Sequence, residues 1–81
     1  MSTIKKQGIT NRAIFDMAVA ATLAENYNRN GNVREYGKAS RKADKILSSI
    51  KREEIMTFTT TVNRLKQTDK FKEYCEKYFN V

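Results

Sequence analysis

Histidine, proline and tryptophan are missing from this chain, cysteine occurs once, and nine acidic residues stand against sixteen basic ones. Each shortage removes a class of function. Without histidine there is no imidazole to serve as a base near neutral pH or as a metal ligand. Cys75 alone can form neither an internal disulfide nor a zinc site of the Cys/His kind, which suits a reducing compartment. The carboxylates are scattered. Glu53 and Glu54 adjoin in sequence and so point to different sides of a helix, which is no geometry for paired acid and base. There is no P-loop and no G-x-G-x-x-G fingerprint. Cys75 would need an activating neighbour to act as a nucleophile, and its place among aromatics favours an inert, buried thiol. The chain is therefore read as a non-enzyme, with no catalytic residue, no metal and no cofactor.

Long apolar runs are also scarce. No segment approaches the ~20 apolar residues of a membrane span. Lys5, Lys6 and Arg12 precede "AIFDMAVAATLA" in the layout of a signal peptide, but Asp16 interrupts the apolar part and cleavage would leave too little chain for a core. The expectation is a soluble, cytoplasmic protein without a membrane role.

What is present is helix-forming sequence on the scale of one domain. With no proline to break a helix and only Gly8, Gly31 and Gly37 as glycines, the pattern predicts an all-α bundle of three to four helices. The polar stretch "MSTIKKQGI" (1–9) is expected to be a flexible basic arm, and 10–81 a single helical domain. Thr10 or Asn11 is a good N-cap for a first helix over about 11–28. The middle of that helix, "MAVAATLA", is apolar on nearly every side, as expected of a helix enclosed by others or by the mate in a homodimer. "NRNGN" (28–32) reads as the turn of an αα-hairpin, because Asn and Gly tolerate the left-handed conformation that closes a helix.

The second helix, about 33–50, carries the one sharp signal. On a helical projection Arg34, Lys38, Arg41, Lys42, Lys45 and Arg52 share a stripe about 100° wide. Tyr36, Ala39, Ala43, Ile46, Leu47 and Ile50 form the opposite, apolar face. An ordinary solvated face mixes signs at i,i+4, whereas here Arg34–Lys38, Lys38–Lys42 and Arg41–Lys45 are like-charged. "LSSIKREEIM" reads as a joint: Ser48 and Ser49 are good caps, Glu53 and Glu54 suit a new first turn, and the apolar phase shifts to Ile55, Phe58, Val62 and Leu65. The 3-4-3 spacing of those four predicts a third helix over about 52–66. "TFTTTV" is rich in β-branched residues and would otherwise suit a strand with Met56, Phe58 and Val62 on one side. A last helix over about 68–79, capped by Thr68 or Asp69, places Phe71, Tyr74, Cys75, Tyr78 and Phe79 on one side. Phe71 and Cys75 are assigned to the core, and Tyr74 and Tyr78 stand between core and interface.

A net charge of +7 favours a polyanionic partner. The expected function is binding of DNA or RNA through the second-helix stripe, driven by charge and shape, with little reading of bases. Ser40, at the stripe's edge, would add a hydrogen bond, and Lys5, Lys6, Arg12 and Arg29 would extend the surface if the fold brings them alongside. The hairpin turn is long and lacks a recognition pattern, so this is not a helix-turn-helix reader. The alternative is a protein–protein module (an inhibitor, adaptor or assembly factor of the kind phages and mobile elements encode) that docks its basic face on an acidic protein.

Overall fold

Thr10 starts the fold: in the computed structural model, which describes residues 9–79, its Oγ1 accepts a hydrogen bond from the Ala13 N–H at 3.0 Å. That satisfies one of the free donors of the first turn of α1 (Asn11–Arg29). Of the expected arm, residues 1–8, including Lys5 and Lys6, lie outside the described residues. Ile9 does not belong with an arm. It packs against the core, and its N–H donates to Glu54 Oε2 at 3.2 Å.

The hairpin turn forms as the sequence predicts. Gly31 takes φ 74°, a left-handed conformation that a Cβ would strain. The Asn30 and Asn32 N–H groups donate back to Asn26 and Tyr27 carbonyls of the last turn of α1. Asn32 Oδ1 then accepts from the Glu35 N–H at 3.2 Å, capping α2 (Val33–Ser48). Inside α2, Gly37 meets a different environment. A Cβ placed there would lie 3.6 Å from the Arg41 guanidinium, an ordinary contact.

The joint differs from expectation in detail. Ser48 and Ser49 do not cap a new helix; their hydroxyls donate to the Lys45 and Ile46 carbonyls at 3.0 and 2.6 Å, tying off the end of α2. Beyond them Ile50 is buried at 1% exposure in the turn itself. A 3-10 turn (Arg52–Glu54) carries both glutamates and leads into α3 (Ile55–Lys66). The helical reading of α3 is settled by its burial: Met56 is 81% exposed and Phe58 0%, whereas a strand would put both on one side. The crowded threonines fit because they face outward, and Thr61 donates to the Thr57 carbonyl at 2.8 Å. Thr68 Oγ1 accepts from the Phe71 N–H at 3.3 Å and starts α4 (Asp69–Phe79).

The described residues thus form an all-α bundle of four helices, with α1 packed against both α2 and α3. Among the described residues, no helix is long and apolar enough to cross a membrane. The central cluster is Ala18, Ile50, Phe58, Val62, Phe71 and Cys75, flanked by half-buried Ile14, Phe15, Ile46, Leu47 and Leu65 among others. Ala18 and Ala20 are both buried although residues two apart lie on different sides of a helix, so α1 is covered from more than one direction, while Met17, Val19 and Leu23 are only half-buried. Tyr36, expected on the apolar face, is 40% exposed. It sits at the hairpin end, where α2 has chiefly α1 to pack against; that pair covers a small Ala39 but not a phenol ring. Phe79 and Tyr78, at the end of α4, likewise stay 37% and 61% exposed.

The two hairpin glycines give opposite predictions. Gly31→Ala forces a Cβ into the left-handed region and should cost about 1 kcal/mol. Gly37→Ala restricts the unfolded chain without a clash and should stabilise by about 0.5–1 kcal/mol. Thermal unfolding of the two variants checks the sign of each; equal shifts in one direction would contradict this account of the hairpin.

Candidate nucleic-acid interface

α2 builds the candidate site because its apolar residues share one side. Ala39 is buried, Ile46 and Leu47 are half-buried against the core, and the helix cannot turn without losing them. That fixes the other side toward solvent. Arg34, Lys38, Arg41, Lys42 and Lys45 are all exposed, on a helix whose only acids are Glu35 and Asp44. From Arg34 to Lys45 the stripe runs about 16 Å at ~1.5 Å per residue.

The decisive question is whether acids from elsewhere in the fold cover it. Glu25 is engaged on another side of the molecule, where its Oε1 receives Lys66 Nζ at 2.7 Å. Glu53, Glu73 and Glu76 are exposed and make no ion pair among the described residues. Among the described residues, the one carboxylate paired with the stripe is Glu35, at 3.5 Å from Lys38 within the same helix. Both partners are substantially exposed, so that pair is worth a few tenths of a kcal/mol. The like-charged i,i+4 neighbours each cost a similar amount. The face therefore carries uncompensated repulsion that folding alone does not relieve.

Arg52 is a correction to the sequence reading. Its place in the stripe assumed one helix through residue 52, but α2 ends at Ser48 and Arg52 lies in the 3-10 turn. Helical projection does not set its direction. Lys51 and Arg52 are both exposed just past the helix end. The signal for that break was the Ser48–Ser49 pair, whose hydroxyls serve a preceding carbonyl as readily as a following N–H.

The expected extension is only partly gathered. Ser40 is half-buried at the stripe's edge. Arg12 is engaged with Asp16 at 3.7 Å in the first turns of α1. Arg29 closes α1 and lines a mixed-sign cavity between α1 and α4 with Glu25, Lys66, Lys72 and Glu76. Lys5 and Lys6 lie outside the described residues.

Cys75 borders that cavity but is 2% exposed, and burial raises its thiol pKa above the ordinary value near 9. Less thiolate and less access point the same way. Protein-family models, curated proteins and solved structures offer no match to this chain. The site must be read from its own chemistry.

For Cys75 the expectation is that a thiol-specific reagent at pH 8 modifies the folded protein at least about tenfold more slowly than the unfolded chain. Equal rates would show that the thiol is accessible and would remove it from the core.

Proposed function

We propose that this protein binds nucleic acid through the exposed face of α2, with Arg34, Lys38, Arg41, Lys42 and Lys45 on phosphates and Lys51 and Arg52 within reach of the same strand. The observation that carries this reading is the absence of acidic cover on that face among the described residues, set on a chain of net charge +7. A protein with no polyanion to meet gains nothing from stacking like charges at i,i+4, and mixing the signs would stabilise the helix.

Binding of this kind positions the protein on the backbone and leaves bases largely unread. The stripe offers cations and one half-buried Ser40, with no Asn or Gln to pair with adenine. An arginine can read guanine, but Arg34 and Arg41 sit among lysines that act as point charges. Its length is comparable with a major groove about 12 Å wide, so the helix can reach phosphates along one groove edge. Docking of the same basic face on an acidic protein is the second reading, and the test below separates the two.

Binding to a short labelled duplex DNA and to a matched RNA is followed across a salt series. With four to five phosphates engaged on duplex DNA, log K should fall against log salt with a slope of about −3.5 to −4.5. Arg41→Glu with Lys45→Glu should flatten the slope and abolish binding near physiological salt while leaving helicity unchanged, since both side chains are exposed. No binding of either nucleic acid by the unmodified protein would overturn the proposal in favour of an acidic protein partner.

A further inference from the structure

A second surface lies away from α2. Two open cavities of 480 and 540 Å³ share Phe15, Leu65 and Thr68 and so form one groove between the start of α1, the end of α3 and the start of α4. Ile14 continues its floor on one side and Phe71 and Tyr74 on the other. No residue of α2 lines it. The ring of Tyr74 carries the apolar surface on to Tyr78 and Phe79, at centroid distances of 4.7 and 5.9 Å, and Tyr78 is 61% exposed. The groove thus joins half-buried apolar residues of three helices into one connected surface.

The charges beside it have one sign. Arg64 and Lys70 line the two cavities, both are exposed, and neither makes an ion pair among the described residues. Among the described residues, no carboxylate lines either cavity. The nearby acids are otherwise placed: Asp16 pairs with Arg12, and Asp69 sits in the first turn of α4, where the helix dipole favours it. We propose that this groove docks an amphipathic segment of an acidic protein, which inserts large aliphatic side chains between Phe15, Leu65 and Tyr74 and sets its carboxylates against Arg64 and Lys70.

Other occupants fit less well. A second copy would bring the same two cations and another +7 of net charge to the contact. The chain's own first eight residues carry Lys5 and Lys6, again of the rim's sign. Nucleic-acid bases stack on free ring faces. Here the rings meet edge to face, Phe15 against Phe71 at 6.0 Å and 81° and against Tyr74 at 5.0 Å and 74°. Such a floor presents slots between edges, which suit inserted aliphatic side chains spaced one helical turn apart.

The test uses the full chain and a labelled helix-forming peptide of about 15 residues, with leucines one turn apart and glutamates flanking them. Chemical-shift mapping should place the peptide on Ile14, Phe15, Leu65 and Tyr74. Replacing its leucines by serines should weaken binding at least about tenfold. Arg64→Glu with Lys70→Glu should weaken it by a similar factor and favour a lysine version of the peptide. Both side chains are exposed, so helicity should be retained. Shifts confined to the α2 stripe, equal binding by the serine peptide, or no binding would each overturn the proposal. So would shifts of the groove residues on adding a single-stranded oligonucleotide, or on concentrating the protein alone into a dimer.

Discussion

The scarcity of burial governs this molecule. Among the described residues, only Phe58 and Ile50 are large side chains held wholly inside; Phe71 is nearly so, and the rest of the core is alanine, valine, cysteine and partly covered neighbours. A large apolar side chain gains roughly 1.5–3 kcal/mol from full burial, while a chain of 81 residues typically retains about 4–12 kcal/mol of net stability. Little is left to offset repulsion or strain. Phe58 of α3 and Ala18 of α1 are both fully buried in the central cluster, and Ile50 is buried at the joint just past the end of α2. The positions of α2 and α4 follow from what remains to be covered around those two.

That limit explains the division of labour among the helices. α1, α3 and α4 supply five of the six residues of the central cluster, so α2 contributes only an edge of small and aliphatic residues and keeps its opposite side free. On that free side the sequence places five exposed cations within one helix. Their mutual repulsion works against a marginal core. An ion pair to Lys38 and the helix C-terminus near Lys45 relieve a small part of it. A polyanion would relieve the rest. Under the proposed function, stability and binding are linked through the same charges: an α2 with alternating signs would fold better and bind a polyanion worse. The groove between α1, α3 and α4 is the complementary consequence, since so small a core cannot close over every aromatic ring.

The sequence made the helices legible where local chemistry and periodicity agree. Thr10, Asn32 and Thr68 cap helices whose apolar positions recur at three and four residues, and the structure follows them closely. The β-branched run in α3 was ambiguous by propensity, but period decided it: Phe58 and Val62 lie one turn apart and are buried, while Met56, which a strand would put on their side, is exposed. The failures come from tertiary context. Tyr36 has the right helical angle for burial, yet no third helix reaches it. Arg52 was placed in the stripe by continuing a helix through Ser48–Ser49, whose hydroxyls instead end it. Ile9 looked like part of a polar arm because one apolar residue makes no period, and only its bond to Glu54, 45 residues away, shows where it belongs. The groove was hidden for a similar reason: Phe15, Leu65 and Tyr74 come from three helices, and each alone reads as core.

The linkage between charge and folding can be measured directly. Thermal unfolding at low ionic strength is compared with and without a short nucleic-acid duplex, the salt being matched by a non-binding electrolyte. If the α2 stripe of the folded chain is relieved by phosphates, a saturating duplex should raise the melting temperature by at least about 5 °C. An unchanged melting temperature would mean that the folded stripe meets no polyanion. A lowered one would mean that the duplex prefers the unfolded basic chain, and either result would contradict the account.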